Sequence, residues 1–225
     1  MNNEYIIIPI IAIVVGIIAF VNYYFSKKNV IKRKLKKATG KKISEFLNGE
    51  IAKVVGKVDC LNKPIIAPLS GRPCAYYYVL VEQKVSSGKS SHWKKLIEEE
   101  IAGAFVIKDG RYCARIDTKN IKSYITEDRK YTSGFLEDAT EVLEKYLNDH
   151  GQKSEGILGF NRTLRYKEGV LEQGELIAVI GRGEWKHVNQ DQMTSSFGKV
   201  LEISSTEEEA VYLSDDPETV RITYA

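Results

Sequence analysis

The sequence predicts an α+β, β-dominated protein: a curled or partly closed β-barrel-like domain with one main amphipathic helix, plus one N-terminal transmembrane helix. Three observations favour this fold class. They are an apolar run without charge near the N-terminus, about nine short runs rich in β-forming residues, and one stretch with helical spacing. The 225 residues are 43% hydrophobic and 28% charged, a balance that excludes a disordered chain and a multi-span membrane protein.

The first 25 residues are predicted to be a membrane anchor, with the span at 6–25. This run, IIIPIIAIVVGIIAFVNYYF, has no charge, and as a helix of about 20 residues it would extend about 30 Å, the thickness of the hydrocarbon core. Only Glu4 is charged before the run, whereas cations follow it, so the positive-inside rule puts the C-terminal part in the cytoplasm. We therefore expect an uncleaved single-pass membrane protein with its soluble domain on the cytoplasmic side; a buried core helix is the less favoured alternative.

A basic juxtamembrane segment, residues 26–42, follows the anchor with nine cations and no acid. Next to an anionic leaflet each cation is worth about 1 kcal/mol, so this segment is predicted to set topology and to adhere to the lipid surface. The first 42 residues carry a net charge of +8 and residues 43–225 carry −5, which argues against nucleic-acid binding. The predicted membrane-surface residues are Lys27, Lys28, Lys32, Arg33, Lys34, Lys36 and Lys37.

Residues 43–225 are predicted to form one soluble β-rich domain. The main helix is expected at 135–150, after a cap at Ser133 and before Gly151. Asp109-Gly110 predicts a hairpin turn, and Gly56 inside a strand predicts a bulge or a close backbone approach. Residues 85–92 and 187–197 are expected to be polar loops. Residues 93–100 and 104–108 are predicted to be two strands or one long bulged hairpin arm. The other predicted strands are 51–58, 75–81, 112–116, 163–167, 175–180, 199–204, 210–213 and 220–223.

No pattern in the chain identifies a catalytic residue, a metal site or a cofactor. Three cysteines and three histidines without a C-x-x-C pair exclude a disulfide scaffold and a conventional zinc module, and the cysteines are expected to be reduced core residues. Ser86 and Lys89 have the S-x-x-K spacing of a Ser–Lys hydrolase but stand in a polar stretch without the helix start this chemistry needs. The acidic run at 98–100 is expected to be solvated. An enzyme is not excluded.

The most distinctive stretch is 64–82, PIIAPLSGRPCAYYYVLVE, in which an irregular proline-framed loop leads into an aromatic strand. The loop either covers a barrel end or is a recognition loop centred on Arg72. In the second case Arg72→Glu and Tyr76→Ala are expected to lose partners while thermal stability holds. Strand alternation puts Tyr77 on the face opposite to that of Tyr76 and Tyr78. The candidate binding residues are Pro68, Leu69, Ser70, Gly71, Arg72, Pro73, Cys74, Tyr76 and Tyr77.

This stretch resembles the GIDE, or "beside a membrane" (BAM), domain of the mitochondrial E3 ubiquitin ligase family called Mulan or MAPL. The similarity covers roughly residues 50–183, with its specific core in P-L-S-G-x-P-C-x-x-Y and weaker matches at 105–110 and 168–175. The matching positions around the core are Gly56, Pro68, Leu69, Ser70, Gly71, Pro73, Cys74, Tyr77, Glu82 and Trp93.

The resemblance implies a membrane-adjacent domain that binds a protein partner. Eukaryotic members continue into a second span and a zinc-binding RING; this sequence has neither, and three cysteines cannot supply RING ligands. We therefore expect a RING-less, prokaryotic-type relative that acts as a non-catalytic interaction or scaffold module, in membrane stress or quality control. The alternative is a component of an E3 ubiquitin-ligase-like system whose RING is supplied in trans.

Overall fold

The computed structural model describes residues 4–88, 90–134, 139–154, 162–187 and 198–222. The helices are α1 (Glu4–Tyr24), α2 (Lys27–Lys37) and α3 (Glu141–Asp149), with a 3-10 turn at Ile43–Glu45. The strands are β1 (Ile51–Cys60), β2 (Ile65–Ile66), β3 (Pro73–Cys74), β4 (Tyr76–Ser87), β5 (Ser90–Ala102), β6 (Phe105–Asp109), β7 (Tyr112–Ile116), β8 (Ile121–Tyr124), β9 (Arg129–Ser133), β10 (Leu164–Leu171), β11 (Leu176–His187), β12 (Lys199–Ser204) and β13 (Val211–Ser214).

Five strands close into a barrel in the order β1-β6-β7-β12-β11, because β11 also pairs with β1. β13 and β8 extend the sheet from β11. Apolar side chains that alternate along these strands, such as Val54, Ile107 and Leu201, fill the barrel interior. At Gly56 an added Cβ would lie 2.7 Å from the carbonyl oxygen of Lys108, so only glycine lets β1 and β6 approach this closely. The expectations of a β-dominated barrel and of a close approach at Gly56 are confirmed.

A second sheet, in the order β5-β4-β10-β9, packs beside the barrel. One face of β4 contributes Tyr76 to the barrel core, and the other contributes Val79 to a second core that α3 covers. The predicted loop at 85–92 is wrong, because β4 and β5 pair as far as Ser87 and Ser90 around a turn in which Gly88 has φ +59°. Polar residues can extend a hairpin when their backbone groups pair. Side-chain polarity by itself therefore does not distinguish such a strand from a loop.

The main helix begins later than predicted. Residues 135–138 lie outside the described residues, and the helix starts at Glu141 after Thr140. Ser133 does not cap it but is the buried last residue of β9. Gly151, with φ +67°, follows the helix end as expected. Of the predicted strand 220–223, the described residues 220–222 form no strand, and most of the loop expected at 187–197 lies outside the described residues.

Helix α2 is docked on the barrel. Ser26 caps its N-terminus, since the Ser26 hydroxyl accepts a hydrogen bond from the Asn29 N–H. Ile31 and Leu35 are buried against side chains of β1, β11 and β13. At the far end, Lys53 is only 2% exposed, and its ammonium donates to the carbonyls of Leu35 (3.1 Å), Thr219 (2.9 Å) and Arg221 (2.9 Å). The basic segment thus includes a folded helix that belongs to the domain.

Helix α1 makes no comparable contact through the side chains that the structure describes, from Ile8 onward. Every described side chain from Ile8 to Phe25 is exposed. No single helix within the described ranges passes the length and hydropathy criteria for a membrane span; one pair, Ile8–Tyr24 with Lys27–Lys37, passes them together but is bent by 58°. The transmembrane part of the fold prediction is therefore not confirmed and stays a prediction.

Candidate functional site

The loop at 68–74 is held in place by Arg72. Its guanidinium donates two hydrogen bonds to the Glu172 carboxylate, at 3.0 and 2.6 Å, and one to Asp128 at 3.2 Å. The hydrogen bonds from Arg72 lower the pKa of Glu172 below its ordinary value. Gly71 turns the chain with φ +70°. Arg72 therefore ties the loop to the turn between β10 and β11, instead of presenting its charge freely to solvent.

The interior side of the loop rests on a buried carboxylate. Glu168 is fully buried, and one of its oxygens accepts the N–H of Leu69 at 2.8 Å. The other oxygen and the buried hydroxyl of Ser70 have no hydrogen-bond partner among the described residues. Cys74 is buried beneath the loop, and burial raises the pKa of its thiol to about 11, which makes it an inert core thiol.

The candidate binding residues thus fall into two groups. Pro68 to Cys74 form one loop, whose exposed members are Gly71 and Pro73. Tyr76 and Tyr77 are buried on opposite faces of β4, so the structure does not bring them together with the loop into a single surface. The alternation expected for the three tyrosines is confirmed.

A ladder of tyrosines and glutamates crosses the β4–β5 hairpin, and sequence reasoning missed it. Three consecutive tyrosines each donate a hydrogen bond to one of three consecutive glutamates. The pairs are Tyr76 with Glu100, Tyr77 with Glu99 and Tyr78 with Glu98. Because Tyr78 lies opposite Glu100 in the register, each hydroxyl reaches its carboxylate diagonally. Burial, and then the nearby carboxylates, raise the pKa values of all three tyrosines.

The acidic run was expected to be solvated, which is wrong for Glu99 and Glu100. Both are half-buried, and each has a second partner. Glu99 also accepts the Tyr146 hydroxyl of α3 at 3.0 Å, and Glu100 also accepts the Ser123 hydroxyl at 2.9 Å. The sequence does contain a signal for these pairs, namely a YYY triplet and an EEE triplet on two strands of one hairpin. The pairing can be deduced from it only when the register of the two strands is known.

A pocket of about 210 Å³ opens at the end of this ladder, beside the N-terminus of α2. The Lys28 ammonium lies 4.6 Å from the centre of the Tyr124 ring, and the Lys27 ammonium lies 5.7 Å from that of Tyr78. Two lysines and two carboxylates thus line the same pocket. The lining residues are Lys27, Lys28, Tyr78, Glu98, Ser123, Tyr124, Ile125 and Glu127. Sequence reasoning could not assemble this pocket, because its residues come from four separate segments.

Three further cations of α2 pair with acids of the domain. Lys32 pairs with Asp216 at 3.0 Å and with Glu218 at 3.2 Å, and the hydrogen bond that Lys32 donates to Asp216 raises the pKa of Lys32. Lys34 pairs with Glu209, and Lys36 also reaches Glu218. The pairs of Lys34 and Lys36 are exposed and contribute at most about 1 kcal/mol each, whereas the side chains of Lys32 and Asp216 are mostly buried. Together these pairs orient α2 on the domain.

Two further cations on the helix remain. The Arg33 guanidinium stacks 3.8 Å from the centre of the Tyr24 ring and donates to the Tyr24 carbonyl at 2.6 Å. It therefore connects α2 to the last residue of α1. Lys37 lies in the last turn of α2, where the helix dipole favours a cation. Whether these side chains contact lipid stays a prediction.

Comparisons with protein-family models, with curated proteins and with solved structures found no match. The resemblance to the GIDE domain therefore rests on the motif residues alone. Within the described ranges, no group of three or more His, Cys, Asp or Glu side chains is placed to hold a metal ion. Of the hydrolase pair weighed from the sequence, Ser86 is exposed on the β4–β5 hairpin and Lys89 lies outside the described residues.

Proposed function

We propose that this protein is a membrane-anchored protein-interaction or scaffold module, with its β-rich domain held at the cytoplasmic face by α1. The observation that carries the proposal is the contrast between α1 and α2. Every described side chain of α1 is exposed and nearly all are apolar, whereas α2, two residues later, buries Ile31 and Leu35 in the domain. Contiguous exposed apolar surface of this extent marks a site of membrane or protein contact.

Lipid is the occupant that fits α1. A partner protein would cover one stripe of a helix, but α1 is apolar on all sides, and a helix that is hydrophobic all round suits a bilayer. The cations that begin at Lys27 supply the positive flank expected on the cytoplasmic side. The exposed large apolar side chains of α1 and its end are Ile8, Ile10, Ile11, Ile13, Val14, Val15, Ile17, Ile18, Phe20, Val21, Tyr23, Tyr24 and Phe25.

The interaction role is supported by an exposed apolar edge at the loop. Ile66 of β2 is 56% exposed and pairs with Pro73 of β3, which is exposed as well, and Gly71 turns the chain beside them. Because the Arg72 guanidinium is hydrogen-bonded to Glu172, a partner would contact this apolar edge instead of the guanidinium. A partner that carries a RING domain would indicate the ligase-like alternative.

The anchor is tested by alkaline carbonate extraction of membranes from cells that express the full chain. We expect the wild type in the pellet and the double variant Val14→Lys, Ile17→Lys in the supernatant, because two charges at the centre of a span are costly. The matched control, Leu47→Lys with Leu176→Lys, changes two exposed apolar residues of the domain and should stay in the pellet. Release of the wild type by carbonate would refute the anchor.

The interaction is tested by photo-crosslinking in native membranes, with a benzoylphenylalanine at position 66 and, as control, at position 142. Val142 is an exposed apolar residue on α3. We expect one discrete protein adduct from position 66, identified by mass spectrometry, and none of the same mass from position 142. Absence of that adduct, or the same adduct from both positions, would remove the loop edge as the contact surface.

A further inference from the structure

We propose that the pocket beside α2 binds a zwitterionic headgroup, namely a phosphate joined to a primary ammonium, as in phosphatidylethanolamine. The inference rests on the proposed function for the source of the ligand, because a bilayer around α1 would place such headgroups at the height of the pocket. The pocket begins at Lys27, directly after the Ser26 cap that separates α2 from the end of α1. Its chemistry can be tested without a membrane.

The phosphate would lie between Lys27 and Lys28. Lys28 contacts the Tyr124 ring and makes no ion pair with a described carboxylate, so its charge is available to an anion. Lys27 pairs with Glu100 while its side chain stays 48% exposed. A pair this exposed is weak, so Lys27 can turn to a phosphate at little cost. The two ammonium groups together provide up to six N–H donors for phosphate oxygens once Lys27 has turned away from Glu100.

The ammonium would lie between Glu98 and Glu127. Each of these carboxylates already has one lysine partner, Lys95 and Lys167 respectively. A carboxylate has about four lone-pair sites, so each can accept further hydrogen bonds. Tyr78, which also lines the pocket, offers a ring face to which cations are attracted.

The arrangement of charge selects against simpler ligands. An anion without an ammonium would be repelled by the two carboxylates, and a cation without a phosphate would be repelled by the two lysines. A headgroup with both charges has a partner of opposite charge for each of its groups, and the four charged lining residues sum to zero. Ser123 and Ile125, which also line the pocket, are buried.

The test is calorimetric titration of the full chain, in maltoside micelles without phospholipid, with glycerophosphoethanolamine. Glycerophosphate, which carries only negative charge, and ethanolamine, which carries only positive charge, are the comparators. We expect the zwitterion to bind about tenfold more tightly than either, a difference of about 1.4 kcal/mol. Equal binding of either comparator, or no binding of the zwitterion, would overturn the proposal.

Two charge reversals assign the binding to the pocket. Lys28→Glu and Glu98→Lys should each lower the affinity for glycerophosphoethanolamine about tenfold or more, since each replaces an attraction with a repulsion. The matched controls are Lys63→Glu and Glu141→Lys, at exposed positions outside the lining. Both pocket positions are exposed, and an unchanged melting temperature confirms the fold. Unchanged affinity in both pocket variants would place the ligand elsewhere and refute the site.

The result separates the two proposals. Carbonate release of wild-type protein that still binds glycerophosphoethanolamine would refute the anchor and support the pocket. Carbonate resistance without binding of the probe would support the anchor and refute the pocket.

Discussion

Replacement of Arg72 by methionine should destabilise the domain, in contrast to the expectation from sequence that this residue is free for a partner. Hydrogen bonds to charged groups contribute about 1.5–3 kcal/mol each, and Arg72 makes two to Glu172 and one to Asp128. The Arg72 side chain is 24% exposed, so solvent screening reduces the sum. We expect a loss of about 2 kcal/mol, or about 4–8 °C in melting temperature for a domain of this size.

The effect should depend on pH. Arg72 holds the folded-state pKa of Glu172 below its ordinary value of 4.5, so the carboxylate's contribution is fully present above pH 4.5. It is lost as the pH falls through the lowered folded-state pKa. The stability difference between wild type and Arg72→Met should therefore be constant from pH 7 to about pH 5 and should shrink at lower pH.

The assay is thermal and urea unfolding of the full chain in maltoside micelles, followed by tryptophan fluorescence. The control is Arg111→Met, an exposed arginine in the hairpin turn between β6 and β7, which should melt with the wild type. If Arg72→Met also melts with the wild type at pH 7, the structural role assigned to Arg72 is refuted. Loss of the position-66 crosslink in such a stable variant would instead restore the recognition hypothesis.

The same unfolding assay tests three further substitutions. Gly183→Ala should cost about 1–3 kcal/mol, because the new Cβ would lie 2.4 Å from ring carbons of Phe46; an unchanged midpoint would show that the ring can move away. Lys53→Met should cost about 3 kcal/mol, since it leaves three carbonyls without their donor, and a stability gain would contradict this. Leu35→Ala should lower the free energy of unfolding by about 3 kcal/mol, because Leu35 is buried. Leu47→Ala, at an exposed site, should leave it almost unchanged. Equal effects of the two substitutions would refute the docking of α2.

The barrel was predictable because most of its strands carry local patterns. The β6–β7 hairpin follows from Asp109-Gly110, and Gly56 marks the place where two backbones approach. β8 and β9 were missed, since IKSY and RKYTS are short and polar and become strands by pairing with partners distant in sequence. The helix start was placed too early because apolar residues at 135 and 136 continue its spacing, although residues 139 and 140 are not helical.

The candidate site was less accessible to sequence reasoning. The motif located a real loop at 68–74, but nothing local indicates that Arg72 is engaged by Glu172, a contact between residues 100 positions apart. The acidic run at 98–100 has the composition of a solvated strand, and only the register of β5 against β4 gives it three tyrosine partners. In the basic segment, the density of charge obscures the apolar spacing of Ile31 and Leu35, which stand four residues apart on one helix face and dock α2 on the domain.

The direct succession of α1 and α2 has a mechanical consequence. Only Phe25 and Ser26 separate the two helices, and α2 is fixed to the barrel through Ile31, Leu35 and the Lys53 hydrogen bonds. With α1 in a bilayer, the barrel would therefore be held rigidly at a set height above the membrane and at a set tilt. A flexible linker would instead let the barrel reorient. A neighbour diffusing in the same leaflet would always meet the same flank, so an inserted Gly-Ser stretch after residue 25 would randomise the angle of approach while leaving every contact surface intact.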